Sequence, residues 1–221
     1  MKQIIFLLLP GVLLAQTAIS QTPGTSQVTY LSHYVFPAFV KGRVLQKGGG
    51  IQAATLNYNS MTQEMVFEQN GGYLALGQPE NIDTVFIETR KFIPSGAVFY
   101  EVVPAGAMPL YINHKCKVTP PGNDVGYGST SQTSSPGNIS KIASNSVSYS
   151  LKLPDDYKIT PETELLLKKD NEYRKITNAK QLSKLFPARE DAIQEFVKKN
   201  KTNFKNQDDV VKLIIFCNQP S

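Results

Sequence analysis

Leu110-Tyr111-Ile112-Asn113-His114-Lys115-Cys116-Lys117-Val118 alternates in character residue by residue. Successive Cβ atoms of an extended chain point to opposite faces, so Leu110, Ile112, His114, Cys116 and Val118 share one side. Tyr111, Asn113, Lys115 and Lys117 share the other. The first set reads as a core face and the second as a solvated one, the signature of an antiparallel strand covered on one side only.

Working outward, residues 40 to 118 are rich in Val, Ile, Tyr, Phe and Thr, with Gly, Asn or Pro recurring about every eight to twelve residues. Strands are expected at 42–46, 53–58, 64–68, 73–76, 84–88, 91–93, 98–103 and 109–117. Gly48-Gly49-Gly50 and Asn70-Gly71-Gly72 tolerate positive φ and read as hairpin turns, with Asn59-Ser60-Met61-Thr62 a weaker turn. No long helical pattern interrupts them, which argues against a parallel α/β sheet. The expected fold is mainly β within the α+β class, an antiparallel meander forming a sandwich or partial barrel.

Residues 119 to 145 change in kind. Pro, Gly, Ser, Thr and Asn dominate, as in Tyr127-Gly128-Ser129-Thr130-Ser131-Gln132, and few apolar side chains offset the entropy of ordering them. Long loops of this sort are frequently functional, so Tyr127, Ser129, Thr130 and Gln132 are the candidate contact residues. Beyond the loop, 147–153 reads as a strand, and 164–167 with 173–176 as a hairpin around Asp170-Asn171.

The period then lengthens to that of helices. Asn178 can cap a helix over 179–186 with Gln181 at the capping-box position. Pro187 opens a second, with Glu190 and Asp191 in its first turn and Lys198 and Lys199 in its last. Asn206 caps a third, striped by Val210, Leu213, Ile214 and Cys217. The expected organisation is a β-rich unit over 40–176 closed by a helical tail over 177–221.

The other end of the chain reads as an address. Lys2, the apolar run from Ile4 to Leu14, and the small residues Ala18 and Ser20 form a secretory signal over 1–20, with a mature start at Gln21. A cut after Ala15 and an uncleaved anchor are the alternatives. Residues 21–39 form an N-terminal extension. The run is short of the about 20 apolar residues a membrane span takes, and no later segment is apolar enough, so the mature chain is expected to have no transmembrane segment. A periplasmic or cell-surface location follows.

The mature chain carries 22 basic and 18 acidic residues, and the excess lies C-terminal: 12 basic against 7 acidic from Leu165 onward. A lysine-rich end can face an anionic surface, but solvated helices are the ordinary cause. No nucleic-acid partner is expected. Binding by the tail would show steep salt dependence.

Chemistry-bearing motifs are sparse. There is no Gly-x-Ser-x-Gly elbow, His-Glu-x-x-His, phosphate-binding glycine loop or Cys-x-x-Cys. Asp155-Asp156 and Asp208-Asp209 sit where a turn and a helix start want an acid. His114 and Cys116 project from one face, but a zinc site needs three or four ligands and the other histidine is His33. No catalytic residues, metal or cofactor are assigned. Cys116 and Cys217 lie on apolar faces in a chain bound for an oxidising compartment. A bridge between them would contribute about 4.7 kcal/mol in the loop-entropy account, and two buried thiols are the alternative. Tyrosines and phenylalanines of the β region, among them Tyr58, Phe67, Tyr73, Phe86, Phe92, Phe99, Tyr100 and Tyr111, either pack across strands or stack on sugars or peptides.

Gly42-Arg43-Val44-Leu45, Leu56-Asn57-Tyr58-Asn59, Glu64-Met65-Val66-Phe67, Asp83-Thr84-Val85 and Phe99-Tyr100-Glu101-Val102 together resemble a family of secreted proteins from Bacteroidetes-type bacteria. The tail from Lys184-Leu185-Phe186-Pro187 to Cys217-Asn218 is similar to endings in the same group. The resemblance implies a Gram-negative envelope setting and no particular activity. Asp83-Thr84-Val85 also matches a short O-glycosylation pattern of such bacteria, with Thr84 as acceptor, though a strand threonine there is expected to be buried.

The reading that results is a non-enzymatic extracytoplasmic protein with a binding or structural role in the envelope, its partner an envelope protein or a glycan. Its contact surfaces would be the 127–135 loop and an exposed sheet face. The alternative is an extracytoplasmic hydrolase working through Ser129 or His114.

Overall fold

A computed structural model of the chain describes residues 33–119, 123–124, 130–131 and 157–219. The strands are β1 Val40–Gln46, β2 Ile51–Asn59, β3 Glu64–Gln69, β4 Gly72–Ala75, β5 Ile82–Ile87, β6 Arg90–Ser95, β7 Val98–Val103, β8 Leu110–Thr119, β9 Asn123–Asp124, β10 Thr130–Ser131, β11 Lys158–Lys169 and β12 Glu172–Lys175. Three helices follow, α1 Ala179–Ser183, α2 Glu190–Asn200 and α3 Gln207–Asn218. Ten strands form one antiparallel, unclosed sheet in the order β12-β11-β8-β7-β6-β5-β1-β2-β3-β4, and β9 pairs with β10 separately. The protein is mainly β, as its sequence reads.

Two meanders leave the middle of this sheet in opposite directions. The chain runs outward from β1 to β4, returns through a 3₁₀ turn at Pro79–Asn81, and enters β5 beside β1. From β5 it meanders the other way to β12. The tight turns have the geometry their residues favour: Asn70 and Gly71 both have positive φ (52° and 76°), as do Asp170 and Asn171 (53° and 63°), matching type I′ hairpins.

The sheet curls so that β2 and β6 face one another. Tyr58 of β2 stacks on Phe92 of β6 with ring centroids 5.8 Å apart, and the Cys116 N–H of β8 donates to the Ser60 carbonyl beyond β2. Inside this curl lies one core: Val44, Leu56, Tyr58, Met65, Val85, Ile87, Phe92 and Phe99. Burial raises the Tyr58 phenol far above its ordinary range. Gly42 is required here, because a Cβ would lie 2.5 Å from the Phe86 carbonyl oxygen and 2.8 Å from Leu56 Cδ1.

The second core uses the other half of the same inner face. Leu110 and Ile112 of β8 and Leu165 and Leu167 of β11 pack against Leu182 of α1, Ile193 of α2 and Val210, Leu213, Ile214 and Cys217 of α3. Asn178 caps α1 by accepting from the Gln181 N–H, and Asn206 caps α3 by accepting from the Asp209 N–H. The first helix is shorter than its sequence pattern, ending at Ser183 before the 3₁₀ turn Pro187–Arg189. The last is pinned by Asn218, whose Nδ2 donates to the Ala105 and Met108 carbonyls at 2.7 and 3.1 Å.

The stretch read as an N-terminal extension contributes to the packing from His33 onward. Phe36 is 4% exposed and joins the first core, and Tyr34 packs with Val66 and Phe39. Asn57 holds this irregular segment: its Oδ1 accepts from the Phe36 N–H, and its Nδ2 donates to the Phe36 and Ala38 carbonyls. The strand read at 147–153 lies outside the described residues. Among the described residues, no helix is long and apolar enough to cross a membrane.

Candidate functional site

Three polar side chains, Arg90, Glu101 and His114, meet on the inner face, between the two cores. Phe99, Glu101 and Val103 alternate inward along β7, Arg90 and Phe92 along β6, and Ile112 and His114 along β8. The register sets Phe92 opposite Glu101 and Glu101 opposite Ile112. Arg90 donates to Glu101 through Nε to Oε1 at 2.7 Å and through Nη2 to Oε2. His114 Nε2 lies 2.6 Å from the same Oε2 and 3.0 Å from Arg90 Nη2. The guanidinium sits 4.7 Å from the centroid of Phe36 and 5.4 Å from that of Phe92.

Burial alone would raise the Glu101 carboxyl. Hydrogen bonds from His114 and Arg90, and their charges, outweigh it and hold the group down at about 2. Glu101 is therefore an anion throughout the neutral range, with both oxygens engaged, and it is no proton donor there. The nearby nucleophile types are not activated. Burial pushes the Cys116 thiol up, and Ser60 Oγ donates to the His33 carbonyl at 2.7 Å. The cluster thus ties β6, β7 and β8 together in the curl.

The outer face is built differently. Tyr111 of β8 lies opposite Leu166 of β11, which lies opposite Lys175 of β12. The Tyr173 ring packs edge-on against both Tyr100 and Tyr111, at centroid distances of 4.9 and 5.0 Å and interplanar angles of 82°. Beneath them Leu166 is 7% exposed, while all three tyrosines keep part of their surface in solvent. Lys168 Nζ stands 5.3 Å from the Tyr173 centroid. Burial raises the phenols of Tyr111 and Tyr173, the latter also through its neighbouring tyrosines, so both stay neutral hydroxyls.

A polar group adjoins this aromatic platform. Glu164 accepts from Lys115 Nζ at 2.7 Å, Lys175 Nζ at 2.9 Å and Asn113 Nδ2 at 3.3 Å. The Lys115 hydrogen bond chiefly lowers its carboxyl, against a smaller opposing effect of burial and with help from Lys175. Asn113 Oδ1 is buried without a protein partner, in a residue 4% exposed. Glu164 and Lys175 also line a groove of about 710 Å³ that runs along β11 to the start of α3, past Thr163, Thr177, Phe204 and Gln207.

Of the residues singled out in the sequence, Thr130 falls in β10, paired with Asp124. Tyr127, Ser129 and Gln132 lie outside the described residues. Cys116 and Cys217 are not bridged: both are free thiols. Cys217 is buried in the second core on α3, whereas Cys116 lies partly exposed on β8 outside that core. Burial pushes the Cys217 thiol up to about 11. Thr84 is buried, with its hydroxyl donating to Asp83 Oδ2. Among the described residues, no three His, Cys, Asp or Glu side chains are grouped to hold a metal.

The eight aromatic residues divide. Tyr58, Phe92 and Phe99 are core, whereas Tyr100 and Tyr111 join Tyr173 outside. The sequence reading missed Tyr173, which it placed in a hairpin strand over 173–176 without a neighbour for its ring. Comparison with family profiles, curated proteins and solved structures yields no match to the chain.

Proposed function

We propose that the protein is an exported, non-enzymatic binding protein of the bacterial envelope, periplasmic or at the cell surface, and that the outer sheet face is its contact surface. The observation that carries this reading is the partly exposed Tyr100–Tyr111–Tyr173 platform drawn from three strands beside a groove. Tyrosine supplies large rigid contact area with a polar tip, the composition of binding surfaces. The export signal and the resemblance to secreted proteins of Bacteroidetes-type bacteria support the compartment. The hydrolase reading gains no support from His114, whose Nε2 is committed to an anionic, fully engaged Glu101.

The test is co-sedimentation of the mature chain with an envelope fraction of the source organism. The wild type should pellet with it, and Tyr100→Ala with Tyr173→Ala should not, while both stay folded. Equal pelleting of the two proteins would count against the outer face. Capture that collapses at high salt and follows lysine substitutions in α2 would transfer the role to the basic tail.

A further inference from the structure

We infer that the ligand of the outer face is a neutral oligosaccharide, with one sugar on the tyrosine platform and its continuation in the β11 groove. This rests on the binding reading above and specifies its ligand. A sugar ring offers apolar C–H faces and a rim of hydroxyls, and the site offers the complement of both. Tyr100, Tyr111 and Tyr173 give ring surface and neutral phenols. Lys175, opposite Leu166 and two residues on from Tyr173, also lines the groove and so borders both features. The groove lining mixes hydroxyl and amide groups at Thr163, Thr177 and Gln207 with apolar side chains such as Leu165 and Phe204 and with charged ones of both signs. Its volume falls within the roughly 300–1,000 Å³ typical of ligand sites.

The charge pattern selects against polyanions. The groove's own charges balance, Glu162 and Glu164 against Lys175 and Lys205, and Glu164 also engages both Lys115 and Lys175. A phosphate or sulfate chain would meet these acids, whereas a neutral saccharide can hydrogen-bond to them through its hydroxyls.

The experiment repeats the envelope sedimentation with three preparations, untreated, protease-digested and periodate-oxidised, followed by an array of neutral oligosaccharides (cello-, xylo-, manno- and chito-series). Capture should survive protease, fail after periodate, and be matched on the array by at least one neutral series. Tyr100→Ala should bind about tenfold more weakly. The half-buried groove variant Gln207→Ala, which leaves the platform intact, should also weaken binding. Capture that survives periodate and fails after protease would overturn the saccharide while leaving the binding reading intact. Preference for sulfated over neutral glycans would overturn it as well. No capture from any preparation would overturn the binding reading itself.

Discussion

His114 Nε2 and Glu101 Oε2 lie 2.6 Å apart, and Arg90 completes the partnership from the other side. Residues 24 positions apart in the chain are thereby locked across three adjacent strands, between two apolar cores. Removing the charge at their centre should leave Arg90 without its counterion. Glu101→Gln is expected to cost about 2–3 kcal/mol in urea unfolding, below the usual range for a fully buried pair because Arg90 is 28% exposed.

The same carboxylate sets an acid limb. It is held at about 2 against an ordinary 4.5, so the unfolded chain takes up the proton first. Its stabilisation is complete above about pH 5 and drains away as pH falls from 4.5 through 2, by about 3 kcal/mol in all. Urea midpoints measured across this window should fall in the wild type and be flatter in Glu101→Gln. Parallel curves would show that Glu101 is not held down.

The helices are expected to be part of one cooperative unit. Leu213 is fully buried in the core that joins α3 to β8 and β11, and Leu213→Ala should cost about 3 kcal/mol with a single transition. A separate early transition for the helical signal in circular dichroism would show the tail to be an independent module.

Gly42→Ala should destabilise by about 2 kcal/mol or more, because the new methyl group meets the Phe86 carbonyl, which is backbone and cannot swing aside. Thermal melting checks this. Gly48→Ala, where a Cβ meets nothing within 4 Å, is the control and should melt close to the wild type.

Both cysteines should titrate as free thiols. Under denaturant, without reductant, two equivalents of a thiol reagent are expected per chain. In the native state Cys116, partly exposed, should react first, and Cys217 only as the helical core opens. A chain whose mass rises by about 2 Da on reduction would carry the bridge after all.

Much of this architecture is legible locally. The alternation of Leu110 and Ile112 against Tyr111 and Lys117 marked the faces of β8, although Asn113, read as solvated, is buried. The Asn178 and Asn206 caps, and the Asn70-Gly71 and Asp170-Asn171 turns, are decided within four residues. What escaped depends on partners distant in sequence. The packing of Phe36 relies on Asn57, 21 residues later, and follows no period. The Arg90–Glu101–His114 cluster and the Tyr173 contacts need the strand order and register, which alternation alone does not specify.

The most direct test of the outer-face account is hydroxyl-radical footprinting of the mature chain with and without the envelope fraction, read by mass spectrometry at single tyrosines. Tyr100, Tyr111 and Tyr173 should lose labelling together when the envelope is present, with Tyr73 unchanged and Tyr58 unlabelled in both states. Unchanged labelling of the three platform tyrosines alongside protection elsewhere on the chain would contradict the account.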